Sequence, residues 1–223
     1  MNTQRWILLS ASLLGSLAIA LPVAAADWGL DLGTAAIRAS TPSATRLLGA
    51  AGHGGSVVRL HREVAPELLV GLEYWHAATS APWVYGTKTE TKSDAAIADL
   101  RYRYRAKTWL EPFARCGLGA AHTEVEVSSG TTALRSRQWA PLALASVGAE
   151  FLIPRRVFAR GIDKKEGFTM GLTWEVGYQH LFQREWEANL VDGSPSGITT
   201  VPVQLGDAAI TGWLTRVAFA VRL

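Results

Sequence analysis

The last twelve residues, GWLTRVAFAVRL (212–223), alternate between two kinds of side chain. Trp213, Thr215, Val217, Phe219, Val221 and Leu223 are bulky or β-branched, while the positions between them include Arg216 and Arg222. Successive side chains of a β-strand point to opposite faces, so this segment reads as a strand with one smooth apolar face and one face that carries cations. Helical spacing would scatter the same residues around a cylinder.

The same period recurs upstream. Eight segments read as strands: DWGLDLGTAA (27–36), SVVRLHR (56–62), ELLVGLEYWH (67–76), AAIADLRYRYRA (95–106), EPFARCGLGAAH (111–122), PLALASVGAEFLI (141–153), FTMGLTWEVGYQH (168–180) and the closing one. In each, charge falls on one face. Pooled, that face holds Asp31, Glu73, Asp99, Glu150 and Glu175 with Arg59, Arg101, Arg103, Arg115, Arg216 and Arg222, interleaved with glycine and without lysine. The solvated side of a soluble sandwich would favour Lys, Ser and Thr instead. Arginine and carboxylate pair bidentately, and glycine makes room in a narrow interior. The charged face is therefore expected to line a lumen and fill it with an ion-pair network, and the apolar face to meet lipid. In hydrocarbon every backbone N–H and C=O needs a partner, which only a closed sheet supplies at both edges, so the last strand should pair with the first.

The chain's start fits this reading. MNTQR is short and basic, WILLSASLLGSLAIALPV is apolar, and the alanines at 24–26 offer a small-x-small cleavage site. Residues 1–26 are expected to be a secretory signal peptide and 27–223 a single barrel domain. Removing the segment takes away Arg5 and no acid, so the formal net charge of +3 becomes +2. Such a balance gives no case for a nucleic-acid partner. The one cysteine, Cys116, allows no internal disulfide. Hydrophobic residues make up 48% of the chain, yet after residue 26 no apolar run approaches the ~20 residues of a membrane helix.

The links between strands alternate in length. Long ones follow the first, third, fifth and seventh strands; EVAP and KTWL follow the second and fourth. Four long loops on the cell surface and short turns inside is the expected arrangement, with both termini on the periplasmic side. The link over 154–167, PRRVFARGIDKKEG, is long and basic for an inner turn.

LEPFARCGLGAA resembles the Pro-aromatic-x-x-x-Gly-x-Gly fifth strand of the small outer-membrane β-barrel proteins, the OmpA transmembrane-domain and OmpX type, and ASVGAEFLI is similar to their Gly-x-Glu sixth strand. The resemblance spans 27–223. It implies an all-β, eight-stranded antiparallel up-and-down transmembrane barrel in a Gram-negative outer membrane. Its partners would be outer-membrane lipids, lipopolysaccharide among them, and the barrel-insertion machinery. Leu223 stands where such chains usually end on an aromatic residue. The resemblance implies little about activity, because fold alone does not.

No catalytic, cofactor or metal site is read from the residues. His76, His122 and His180 face outward near the ends of the third, fifth and seventh strands, which are not neighbours, so they cannot share a metal ion at ~2 Å. His53 falls in the first loop and His61 near a turn. Neither HAATS nor HTEVE matches the His-x-Ser-Asn pattern of outer-membrane lipid A deacylases. A structural or surface-interaction role is expected, with Trp83 and Tyr85 in the second long loop as candidate contacts. The alternatives are a lipid A-modifying enzyme and a narrow pore. An eight-stranded barrel is just wide enough for side chains to fill, which favours a plugged interior.

Overall fold

The computed structural model describes residues 28–41, 44–45, 52–82, 88–104, 109–129, 132–153, 169–182, 186–190, 203–206 and 210–222. Ten strands follow in chain order: β1 (Trp28–Ala39), β2 (His53–Ala65), β3 (Leu68–Pro82), β4 (Lys88–Arg103), β5 (Leu110–Ser129), β6 (Thr132–Ile153), β7 (Thr169–Leu181), β8 (Trp186–Leu190), β9 (Val203–Gly206) and β10 (Gly212–Arg222). From β1 to β7 each pairs antiparallel with the next; β7 then pairs with β10, and β10 with β1. The result is a closed eight-stranded up-and-down barrel. Val217 at the centre of β10 faces Thr34 on one side and Trp174 on the other, so the closing strand has no open edge. β8 and β9 are not among the eight closing strands; β8 continues the edge of β6 beyond the stretch that pairs with β7. β8 hydrogen-bonds to β6 at Leu134 and Arg135, and β9 to β8, within the connection read from sequence as one long loop.

The alternation gives each strand the two faces expected of it. On β10, Leu214, Arg216, Ala218 and Ala220 are buried while Trp213, Val217 and Phe219 are exposed. On β5, Phe113 and Arg115 point in, and Leu118 and Cys116 point out. The strands are longer than their sequence signal. Residues 77–82 and 88–94, expected to be loop, continue β3 and β4, and most of 123–140 belongs to β5 and β6, which run 20 and 22 residues. The reason is an inversion of polarity. Thr123, Val125 and Val127 are now the buried side of β5, and Thr89, Thr91 and Ser93 that of β4. The charges Glu124, Glu126, Lys88, Glu90 and Lys92 have moved to the outer face. The period of two persists, but charge lies outside instead of inside.

The interior changes along the barrel. Toward the β2–β3 and β4–β5 turns it is ionic. Above that it is apolar, where Ile37, Val57, Trp75, Ile97, Leu142, Leu144, Leu181 and Leu214 pack together, and higher still Thr89, Thr91, Ser93, Thr123 and Ser136 are buried. This corrects the expectation of a charged lumen throughout. Leucines facing each other across an eight-stranded barrel fill its width without any polar group to satisfy. His53, expected in a loop, begins β2 and points inward, its ring edge-on to Trp75 at 5.5 Å and its Nδ1 bonded to Thr79 Oγ1 at 2.8 Å. Glycine makes space in the ionic storey: a Cβ on Gly71 would lie 2.8 Å from the Arg59 guanidinium, and one on Gly29 would run into the His61 ring.

Candidate functional site

The inward charges named from sequence lie in one connected network. Arg59, on β2, bridges Asp31 of β1 at 3.2 Å and Asp99 of β4 at 2.5 Å. Asp99 also meets Arg115 of β5 at 2.9 Å. Arg115 is the hub, holding Glu73 of β3 at 2.6 Å and Glu175 of β7 at 3.1 Å across the barrel. Arg216 of β10 binds the same two carboxylates at 2.5 and 3.3 Å. A second arm runs from Asp31 through Arg101 (3.0 Å) to Glu150 (3.7 Å) and Arg222 (2.5 Å). It ends at Glu111, shared by Arg222 and Arg103 at 2.9 and 3.3 Å. Arg103 also pairs with Glu63. The Arg101 guanidinium rests over the Phe113 ring at 4.3 Å.

Sequence reasoning missed Glu63 and Glu111; Ser146, on the same inward face as Glu150, donates its hydroxyl to Glu175 at 2.6 Å. Glu111 was within reach: it sits two residues before Phe113 and four before Arg115, so the alternation of β5 extended by one step places it inward. Glu63 lies in the segment read as a turn. His61, expected near a turn, has its Nδ1 3.6 Å from Asp31.

Removing so many charges from water is tolerable only because each has several partners. Arg59, Arg101 and Glu175 are 0% exposed. The network is thus a brace tying strands together across the interior.

The outer wall carries a second arrangement. Register aligns outward residues in rows across β3, β4, β5 and β6. Leu72, Ala98, Leu118 and Ala143 form one row, and Tyr74, Ala96, Ala120 and Pro141 the next. Above these come His76, Asp94, His122 and Trp139, then Ala78, Lys92, Glu124 and Arg137, then Ser80, Glu90, Glu126 and Arg135. The outer face thus changes from apolar to charged at the row of Asp94. His76 and His122 share no strand pair, as the sequence argument held, but Asp94 stands between them. His76 Nδ1 bonds Asp94 Oδ1 at 2.8 Å, and the Tyr74 hydroxyl donates to the same oxygen at 2.5 Å. The His122 ring packs on Trp139 at 5.0 Å.

Ser56 lies opposite His76 on β2, yet among the described residues no hydrogen bond joins the two. Among the described residues no cluster of His, Cys, Asp and Glu has a metal-binding arrangement. Higher up, Arg135 pairs with Glu126 at 2.5 Å and Glu124 at 3.1 Å, and Arg137 with Glu124 at 3.2 Å. Trp83, Tyr85 and the basic link 154–167 lie outside the described residues.

No protein-family model matches the chain, and no curated protein matches it. Solved structures do. A major outer membrane protein from Thermus thermophilus is 14% identical with a TM-score of 0.52, the match covering 88% of this chain and 99% of that one. Neisserial surface protein A is 11% identical (TM-score 0.48; 90% and 99% covered), and Ail, the attachment invasion locus protein of Yersinia pestis, is 10% identical (TM-score 0.47; 89% and 97%). At such identities the likeness is one of fold. That fold is the outer-membrane β-barrel type expected from the strand pattern.

Proposed function

We propose that this chain is an outer-membrane barrel whose role is structural and interactive. Its working surface is the part of the sheet that rises above the bilayer, together with four loops on that side. The observation that carries the reading is the length of β5 and β6 against their outer-face polarity. A membrane-crossing strand needs about 9–11 residues. Outward residues of β4 from Ala96 to Tyr102 are apolar or aromatic, and those from Asp94 to Lys88 are charged. Strands of 20 and 22 residues therefore leave about ten residues each beyond the hydrocarbon, or roughly 30 Å of sheet at ~3.3 Å per residue. The outer face of this extension carries lysine, arginine and glutamate in alternation, suited to a polar partner of mixed charge. The brace below keeps the platform rigid. The exposed ring-bearing residues support the placement: Tyr102, Tyr104 and Trp109 lie toward the short turns and Tyr74, Trp139 and Trp213 toward the other end, where headgroups favour amphipathic rings.

The test is to shorten the β5–β6 hairpin symmetrically, deleting 126–135 and closing Val125 to Ser136 with Asn-Gly. Cells or proteoliposomes bearing both forms are then assayed on arrayed matrix proteins and charged polysaccharides. The expected result is a barrel that still folds, since surface hairpins tolerate length change, with surface binding lost. Binding that survives the deletion and disappears with Arg115→Ala would overturn the reading in favour of the pore. A changed acyl pattern of lipid A in cells with the protein would favour the enzyme. Cutting 82–92, inside the segment expected from sequence to be loop, is unsuitable: Pro82 ends β3 and Lys88–Lys92 are part of β4.

A further inference from the structure

One row of the outer wall brings together a hydroxyl, an imidazole and a carboxylate from three adjacent strands. Ser56 of β2 is the register partner of His76 of β3, and His76 that of Asp94 of β4. All three side chains lie on the outer face, Ser56 and His76 exposed and Asp94 partly so. His76 Nδ1 is 2.8 Å from Asp94 Oδ1, and the Tyr74 hydroxyl donates to the same oxygen at 2.5 Å. A carboxylate only accepts, so Nδ1 carries the proton and Nε2 is left as the basic nitrogen. Directly opposed side chains have Cβ atoms about 4.5–5.5 Å apart, a span that a serine hydroxyl and an imidazole bridge by side-chain rotation. Such a bond is often long in a free enzyme and tightens on substrate. On the other side of Ser56, its β1 partner Thr34 joins Ala36, Gly54, Thr215 and Val217 in lining a groove of about 430 Å³. Arg38, the next outward residue above Ala36 on β1, is exposed, as is Lys92 above Asp94.

We propose that Ser56 and His76 hydrolyse an ester-linked acyl chain of an outer-leaflet lipid, with Asp94 as the positioning residue. The inference goes beyond the surface role and rests on the same membrane placement. The row lies where the outer face of β4 turns from apolar to charged, the level at which the ester bonds of a bilayer lipid sit between chains and head groups. The groove takes the chain, and Arg38 and Lys92 suit a phosphate above it. With the long loops outside the cell, the phosphorylated, ester-acylated lipid of that leaflet is lipopolysaccharide. In the first step Ser56 Oγ attacks the ester carbonyl carbon and its proton passes to His76 Nε2. The carbon–alkoxy bond then breaks, and Nε2 returns the proton to the leaving alcohol. A water molecule, losing a proton to the same nitrogen, attacks the acyl-serine. The Oγ–acyl bond breaks, a free fatty acid departs and Ser56 recovers its proton. Asp94 keeps the imidazole in one tautomer and offsets its charge when protonated.

The test incubates the purified barrel in detergent micelles with lipopolysaccharide and, separately, with phosphatidylglycerol, and measures released fatty acid by mass spectrometry. Release from lipopolysaccharide is expected, lowered at least about a hundredfold by Ser56→Ala and by His76→Gln. Asp94→Asn should lower kcat and leave KM in place, with part of the rate restored in Asp94→Glu. A fluorophosphonate, which phosphonylates an activated serine with loss of fluoride, should add one mass increment to the unaltered chain and none to Ser56→Ala. Mobility on unboiled gels reports folding of each variant. Release that persists in Ser56→Ala, or a folded barrel that neither releases fatty acid from either lipid nor takes the fluorophosphonate, would overturn the proposal. Cleavage of phosphatidylglycerol alone would overturn the lipopolysaccharide assignment. Deleting 126–135 leaves the row intact, so the surface role and this one fail separately. A chain that inserts into no vesicle sinks the membrane placement beneath both.

Discussion

Arg115→Leu is expected to be the most damaging single change in the interior, costing about 3–5 kcal/mol, the range for breaking a buried pair by removing one partner. Arg115 holds Glu73, Asp99 and Glu175, and all three are nearly inaccessible to solvent. Leucine is shorter and uncharged, and leaves those carboxylates facing one another with fewer cations between them. Arg59 still holds Asp99, and Arg216 still reaches Glu73 and Glu175, so the barrel should fold but unfold at lower denaturant. Urea unfolding in detergent micelles, followed by tryptophan emission and by mobility on unboiled gels, measures the loss. Arg216→Leu should cost less, because Arg115 continues to hold both of its carboxylates. The ranking is wrong if Arg216→Leu proves the more destabilising of the two.

Val217→Arg is expected to cost about 2–4 kcal/mol, the penalty for a cation on the lipid face near the midplane. Val217 is the sixth of the eleven residues of β10, flanked by Thr34 and Trp174 with its side chain exposed. The informative comparison is its neighbour: Arg216→Lys keeps the charge inside and should be milder. Folding yield into lipid vesicles of defined thickness, with urea titration of each variant, separates the two. In a soluble protein the order would reverse, since an exposed arginine at 217 would be harmless.

The two-faced strands were legible because the barrel wall imposes a period of two, and the pooled charges placed inward by that period are buried or part-buried in the structure. What escaped has physical causes. Glu124, Glu126, Arg135 and Arg137 looked like loop because their charges fall on the face that is apolar lower down. The apolar storey was present as Ile97, Leu142, Leu144 and Leu214, all in phase with the charges, but the arginines drew the whole lumen into one polar reading. The connected order of the network could not be read at all. Which arginine meets which carboxylate depends on the stagger between strands, and Arg115 reaches Glu73 and Glu175 on strands distant in the chain. The contact of His76 with Asp94 was hidden for the same reason, since Asp94 lay in a segment read as loop while the register places it opposite His76.

The central claim is that the outward face of each strand meets lipid and the inward face a packed, dry interior. It is tested most directly by a spin-label scan along β10. Residues 213–221 are replaced one at a time by cysteine in a Cys116→Ser background, and each variant is reconstituted into vesicles. Collision rates are then measured with oxygen, which partitions into hydrocarbon, and with a water-soluble nickel complex. The account predicts high oxygen and low nickel access at 215, 217 and 219, with little access for either at 214, 216, 218 and 220. High nickel access at 215, 217 and 219 would place that face in water and contradict it.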